Sequence, residues 1–408
     1  MREETADVVV IGAGPAGLSA ATHLRRLGVV RVIVLERDRL AGGIPRHCGH
    51  FPFGMREFHR VLRGPDYARR LVTAARSSGV DLRLEATVTR LNPGGHVEMT
   101  TPEGLASVRA HAVLLATGVR ETSRAGRLIG GEKPGGILST GALQGIVYLN
   151  GEVPFRRPVI LGSELVSFSA LLTCRHAGMR PVAMIEAGSR PVTYAFARLL
   201  PVMLGIPFMA GTRVEAVEGR ERVERVVVSR GGERCEIDAD GVVVSGQFRP
   251  EATLLRTSGM DVDANSGGPV IDQHGRMSDP AYFAAGNVLR GVETAGWCWA
   301  EGKRIAGAIK ASLDGRLPPR SSSRIAVDAP TLKLAVPQVL SHAAGEAPYR
   351  HLQIRLGRPA RGTLRLMQGD VVLARKRIFS RPERRILLVL PAAISPGNGV
   401  FRLELDED

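Results

Sequence analysis

The chain has 408 residues, 44% hydrophobic and 23% charged, which is enough for two or three cores of ordinary size and argues against extensive disorder. Its net charge is +15, yet only five of the 55 Lys and Arg residues are lysine, the arginines are scattered, and aromatics make up 4%, so no basic stacking face for nucleic acid is expected. No apolar run reaches about 18 residues, and the first strand begins within seven residues of Met1, so we expect neither a membrane span nor a signal peptide, and a cytoplasmic location.

Residues 7–36 read as a β-α-β unit: an apolar strand over 7–12, a helix from about Pro15 to Leu27, and a strand over 32–36. The stretch 41–54 is too rich in Gly and Pro for regular structure and is expected as a loop beside the ligand of the first turn. A helix follows near 65–78, then strands around 81–90, 95–101 and 105–111, and residues 119–155 read as a polar, Gly-rich crossing. From Pro158 the pattern repeats, with a strand over 158–162, a helix at about 164–177, a strand over 181–186 and a further apolar strand over 241–246. Residues 279–287 return to a strand and turn before a long helix from about Ala295 to Leu313, and 316–323 reads as a linker. Residues 331–405 alternate apolar and polar between turn signals, which predicts a small all-β, sandwich-like module. Between Tyr349 and Arg385 it carries eleven basic residues against two acidic ones, a strip that is either a solvated face or a dock for an acidic partner. The expected boundaries are 1–155 and 251–318 for a first unit in two parts, 156–250 for an inserted unit, and 324–408 for the β-module.

The chemistry starts at Gly12-Ala-Gly14-Pro15-Ala16-Gly17, which follows a strand, opens a helix, and precedes an acid, Glu36, by 19 residues counted from its last glycine. Gly12 allows the tight turn, Gly14 lets backbone approach a pyrophosphate, Gly17 permits close helix–strand packing, and Glu36 can accept hydrogen bonds from a ribose diol. Four cysteines (Cys48, Cys174, Cys235, Cys298) lie far apart without a CxxC, so zinc-ribbon, iron–sulfur and dithiol signatures are missing and the thiols are expected to be reduced.

On these motifs the chain resembles the glutathione-reductase-like pyridine nucleotide oxidoreductases, flavoproteins with two dinucleotide-binding domains, over roughly residues 5–315. Leu115-Ala116-Thr117-Gly118 is similar to that family's second FAD segment, and Tyr282-Phe-Ala-Ala-Gly286-Asn287 to the one contacting the ribityl chain, where the family has Asp in place of Asn287. The resemblance implies an α/β fold of two nested Rossmann-like domains, an FAD domain with an inserted NAD(P)-like domain, followed here by the β-module. It implies FAD contacts from Gly12, Gly14, Pro15, Ala16, Gly17, Glu36 and Arg37, from Gly43, Ile44 and Val88, from Ala116, Thr117 and Gly118, and from Gly286 and Asn287. In the family the following helix points its N-terminus at the flavin pyrimidine; that end is Thr294-Ala-Gly-Trp297 here, which makes Trp297 a candidate catalytic residue. More closely, the stretches Gly43-Ile-Pro-Arg-His47-Cys48-Gly-His50, Gly64-Pro-Asp-Tyr67 and Gly286-Asn287-Val-Leu289 resemble bacterial FAD-dependent oxidoreductases that work beside a glycerol-3-phosphate-dehydrogenase-like flavoprotein subunit, often with a small iron–sulfur protein. More distantly they resemble α subunits of opine, hydroxyproline and related amino-acid dehydrogenases.

Two local features remain. The second fingerprint reads Gly162-Ser-Glu164-Leu-Val-Ser167, which sets a carboxylate where a cofactor pyrophosphate must approach, so NAD(P)H is a doubtful ligand. Cys48 and His50 are candidate catalytic residues in a cluster with His47, open to three readings: a flavin-adjacent thiol whose imidazole neighbours favour thiolate, a metal site short of a fourth ligand, or residues that only line the pocket. Taken with these features, the resemblance implies an FAD-dependent oxidoreductase subunit of a hetero-oligomeric dehydrogenase for a small polar substrate. The alternatives are a stand-alone NAD(P)H-dependent reductase and a catalytically silent FAD- or nucleotide-binding scaffold subunit.

Overall fold

The computed structural model describes residues 2–320, 323–340, 347–382, 384–391 and 400–408. Its first sheet is built on the strand Arg2–Ile11, which pairs in parallel with Val32–Leu35 on one side and Gly104–Leu115 on the other. Helix α1 (Pro15–Arg26) makes the crossover between the first two strands. Asp81–Arg83 extends one edge in parallel, and His96–Thr101 and Thr87–Asn92 add an antiparallel hairpin beside Gly104–Leu115. Val8, Val9 and Val10 are consecutive and fully buried, as expected of a parallel strand covered on both faces. Helix α2 (Gly64–Ser77) packs against α1.

The chain leaves this unit at Val119–Glu121 and returns at Phe248–Pro250, and these two crossings pair with each other as an antiparallel ribbon. Between them lies a second parallel sheet in the order Phe208–Ala210, Ala183–Glu186, Pro158–Leu161, Gly241–Val244, Ile137–Ser139, with helix α3 (Leu165–His176) following its central strand. Helix α4 (Leu199–Met203) lies ahead of the edge strand Phe208–Ala210. The edge strand Ile137–Ser139 and the helical turns over Thr140–Asn150 lie in a stretch read from sequence as an irregular crossing. Three residues of strand between glycines are too short to show a period, yet they pair in register with Val242–Val244, placing residues ahead of 156 in the second sheet.

After the ribbon, Tyr282–Ala284 joins the first sheet in parallel beside Val113–Leu115, and helix α5 (Ala295–Leu313) packs along α1. Their approach depends on Gly302, where a Cβ would overlap the Ala16 carbonyl oxygen. The remaining strands form two facing sheets, Ile325–Val327, Phe401–Glu407, Ala360–Gln368 and Val371–Ser380 in one, and Leu332–Val336, His351–Leu356 and Ile386–Val389 in the other. Their core includes Ile354, Leu364, Leu366, Leu388, Phe401 and Leu403, while Leu334, Val336 and Tyr349 pack into the core of the first unit. Among the described residues no helix is long and apolar enough to cross a membrane.

Gly302→Val is expected to destabilise the chain by about 2–3 kcal/mol through overpacking of the α1–α5 contact. Urea unfolding followed by circular dichroism checks this; an unchanged midpoint would show that the two helices can part without cost.

Candidate active site

The first Gly-rich turn is shaped by backbone contacts. Gly12 has φ +105°, and a Cβ there would stand 2.6 Å from the Ala116 carbonyl oxygen; one on Gly17 would overlap the Gly12 carbonyl oxygen. Gly14 differs, because a Cβ there would meet only Gly43 Cα, at 4.0 Å. Gly43 itself has φ +62°, and a Cβ on it would come within 2.8 Å of Gly14 Cα. No side chain caps α1, and Pro15 occupies its first turn, so the N–H groups of that turn are left for an anion. Glu36 is buried at the end of its strand, where Oε2 accepts from the Ala13 N–H at 2.9 Å and Oε1 from the Asp38 N–H at 3.1 Å. Each oxygen keeps a lone pair for a diol. These residues fit the pyrophosphate and ribose of FAD: glycines where backbone must come close, an uncapped helix end, and an oriented acid.

A second uncapped helix end, that of α5 at Thr294, meets the same region. Ala16, Ala116 and Cys298 form a small buried cluster there, and Gly286 (φ +81°) lies so close that a Cβ would be 2.8 Å from Ala16 Cβ. Asn287 clamps the loop that follows, accepting from the Glu293 N–H at 2.7 Å and donating to the Glu293 carbonyl at 3.1 Å. Thr117 donates to the Glu251 carbonyl at 3.0 Å and Gly118 accepts from the Glu251 N–H, so this segment fastens the two crossings. Val88 is half-buried opposite Met99, while Arg37 and Ile44 are exposed beside Glu36 and Gly43. Arg120 pairs with Glu251 at 3.1 Å on the surface.

Of the three readings of Cys48, the thiolate one is not favoured by its surroundings. Burial, helped by the nearby charge of Glu121, pushes its pKa up to about 12, and the thiol donates to the Ile44 carbonyl at 3.4 Å and to Gln144 Oε1 at 3.5 Å. The neighbouring imidazole of His47 is pushed down to about 4, first by burial and then by Arg46, so it carries no charge that could support a thiolate near neutral pH. His50 is half-buried, with Nδ1 3.0 Å from the Phe51 carbonyl oxygen and its ring tilted on Phe53. Trp297 lies under two guanidinium groups, Arg56 at 4.0 Å and Arg385 at 3.9 Å from the ring centroid.

The second turn repeats the first up to one position. Gly162 has φ +114° and a Cβ there would stand 2.7 Å from the Ser245 carbonyl oxygen, matching Gly12 against Ala116. Glu186 is held as Glu36 is, by the Ser163 hydroxyl and by the Gly188 N–H at 2.7 Å. The difference is Glu164 at the start of α3, whose Oε1 accepts from the Gln247 N–H at 2.6 Å and whose carboxyl lies 2.5 Å from where a Gly246 Cβ would be. Burial raises its pKa, the Gln247 bond and Arg127 oppose that rise, and Ser167 brings a buried hydroxyl without a partner. These residues do not match the set that fits a pyrophosphate at the first turn, because an acidic residue, Glu164, stands where the first turn has the bare Gly14.

A buried ionic cluster behind Gly286 was not foreseen from the sequence. Glu301 on α5 accepts from the Gly286 N–H at 2.7 Å, from Arg290 at 3.0 Å and from Gln353 at 3.4 Å. Burial opposes the charge of Arg290, but Glu301 and Glu293 more than offset this and hold its pKa above the ordinary value. Glu293 then pairs with Arg355 at 2.6 Å and Arg385 at 3.4 Å, both from the β-module. No spacing in the chain announces contacts between residues so far apart.

The family described as Pyridine nucleotide-disulphide oxidoreductase matches residues 6–302. An opine oxidase subunit of Agrobacterium tumefaciens (strain Ach5) is 27% identical over 76% of this chain and 64% of its own length. The alpha subunit of sarcosine oxidase of Rhizobium meliloti (strain 1021) is 27% identical over 77% of this chain and 31% of its own. The chain thus spans less than two thirds of these relatives. In fold it is similar to thioredoxin reductase of T. acidophilum, with a TM-score of 0.63 and 23% identity over 76% of this chain and 98% of that one. It is also similar to L-proline dehydrogenase of P. horikoshii, with a TM-score of 0.60 and 20% identity over 78% and 57%.

Two outcomes are expected. Glu301→Ala should cost about 3–5 kcal/mol in urea unfolding, since it leaves Arg290 buried without its main partner; a loss below about 1 kcal/mol would show that the cluster carries no net constraint. Cys48, Cys174 and Cys298 are all pushed up to about 12 by burial, whereas Cys235 is exposed, so iodoacetamide at neutral pH should label Cys235 alone in the folded protein, read by peptide mass spectrometry. Because these three values are raised, their contribution to stability is complete below the ordinary 9.0 and is lost as pH climbs towards 12.

Proposed function

The chain belongs to the pyridine nucleotide-disulphide oxidoreductase family, and from that premise we propose that this FAD-dependent oxidoreductase is the FAD-carrying subunit of a multi-subunit dehydrogenase that does not draw electrons from NAD(P)H. The observation that carries this reading is the pair of turns with one backbone and two chemistries: Gly14 leaves its approach bare, while Glu164 fills the matching approach with a carboxyl group. The substrate class is a small polar molecule, a glycerol phosphate, 2-hydroxy acid or amino acid. The partners are a small iron–sulfur protein and a second flavoprotein subunit. Relatives described as subunits of opine and sarcosine oxidases support this direction.

Bound FAD supplies a two-electron carrier that accepts hydride at its N5 position. Gly12, Gly14, Gly17 and Gly43 would let backbone close on its pyrophosphate, with the N-terminus of α1 supplying partial positive charge. Glu36 would hold the ribose diol, with Arg37, Ile44 and Val88 around the adenosine end and Ala116, Thr117 and Gly118 beneath the chain. Gly286 would admit the ribityl segment, and Asn287, by clamping Glu293, would hold the loop that leads into α5. The uncapped end of α5 would then place partial positive charge near the flavin pyrimidine, beside Trp297. Cys48, as a neutral buried thiol, and His50 would line this pocket rather than act as nucleophile and base.

An anaerobic absorbance spectrum tests the reading. The purified protein should show an oxidised flavin band at about 450 nm that survives addition of NADH and NADPH. Rapid bleaching by either nucleotide would overturn it in favour of a stand-alone reductase, and absence of flavin in the purified protein would favour a scaffold. Glu164→Gly removes the carboxyl group, so if that group is the obstacle the variant should gain nucleotide binding that the parent lacks, read by calorimetric titration.

A further inference from the structure

We propose that the outer face of α3, the 194–196 segment and α4 together form the docking surface for the second flavoprotein subunit, through an apolar patch on that partner rimmed by acidic residues. This inference rests on the subunit reading above and goes beyond it by locating the interface.

Helix α3 buries Phe168, Ala170, Leu171 and Cys174, while Leu165 is 60% exposed and Leu172, two turns on, is 36% exposed, beside the exposed Arg175 and His176. The two leucines share a face at i and i+7 and leave apolar surface in water as the single chain stands. Beside it the rings of Tyr194 and Phe196 stack at 5.4 Å while remaining exposed, and α4 turns Leu199, Val202 and Met203 outward at i, i+3 and i+4. Scattered exposed apolar residues need no explanation; a contiguous set on neighbouring elements marks an interaction site.

Its place in the fold fits that use. The Val192 N–H donates to the Ser163 hydroxyl at 2.9 Å and the Thr193 N–H to the Ser163 carbonyl at 3.2 Å, so the segment is fastened to the degenerate Gly-rich turn. Leu165 directly follows Glu164, so an exposed leucine opens the helix at this same turn.

Charge selects the occupant. Between Glu186 and Glu215 the chain has no Asp or Glu, Arg190 and Arg198 are exposed, and Arg384 of the β-module lies over the Tyr194 ring at 4.1 Å. A second copy docked on this face would set arginine against arginine on a chain of net charge +15, whereas an acidic rim on a different polypeptide would complement it.

The test uses the full chain, tagged in its own cells and purified as the holoprotein, in three forms: unaltered, Phe196→Glu with Val202→Glu, and Leu105→Glu as a control at an exposed leucine on the first sheet. The unaltered and control forms should retain a second flavin-bearing polypeptide, with hydrogen exchange over 194–203 slowed in the complex. The double variant should lose that polypeptide by about tenfold or more while keeping its own flavin absorbance and unfolding midpoint. Retention of the partner by the double variant, or unprotected exchange over 194–203 in the complex, would overturn the docking surface while leaving the subunit reading intact. Homodimerisation, or binding to anionic vesicles, that the double variant abolishes would overturn it in favour of a second copy or a membrane. If the unaltered chain brings down no second flavoprotein at all, the subunit reading fails and the docking surface with it.

Discussion

A single buried carboxylate, Glu301, ties together the parts of this molecule that have to agree. Taking it out of water would cost several kcal/mol if it were unpaired, and its partners come from three directions: the Gly286 N–H of the flavin motif, Arg290 of the loop that follows, and Gln353 of the β-module. Arg290 is as deeply buried and pairs with Glu301, and Glu293, 4.0 Å from it, links the arrangement to Arg355 and Arg385. The full set of contacts forms only when the glycine turn, the loop and the module are all in position. The cluster therefore specifies one geometry where apolar packing would accept several.

Against that constraint the two halves of the chain show how little separates the two Gly-rich turns. Both Gly-rich turns keep the left-handed first glycine against a facing carbonyl, and both keep an acid at the end of the next strand held by two donors. Folding of the β-α-β unit uses those shared features. The second glycine of the first turn contributes nothing to packing at Gly14, so glutamate at the matching position, Glu164, leaves the architecture intact. The carboxyl group is not stranded by the change, because the Gln247 N–H and Arg127 receive it.

Much of this was legible in the sequence, and the reasons for success and failure are physical. Strands at 7–12 and 158–162, the helices after them and the long helix from Ala295 could be read because hydrophobic period and glycine placement are local properties. The two-sheet C-terminal module followed from alternation and turn residues. What escaped depended on distance: Ile137–Ser139 is a strand only by virtue of its partner at Val242–Val244, and the Glu301 cluster joins residues as far downstream as Arg385. For Cys48 three readings stayed open because its flanking imidazoles are visible in the sequence and burial is not; burial pushes the Cys48 thiol up and the His47 imidazole down, which weighs against the thiolate reading.

The insertion of Leu334, Val336 and Tyr349 into the first unit's core carries a consequence for biosynthesis. The Tyr349 hydroxyl reaches the Ala284 carbonyl at 3.3 Å and its ring lies beside Gly275, so the first unit is sealed by a residue far downstream of its opening strands. The first sheet is complete only once Tyr282–Ala284 has been made, whereas the second sheet has all its strands by Val244. The inserted unit can therefore finish its sheet ahead of the unit whose apolar strands at 8–11 and 32–35 precede it.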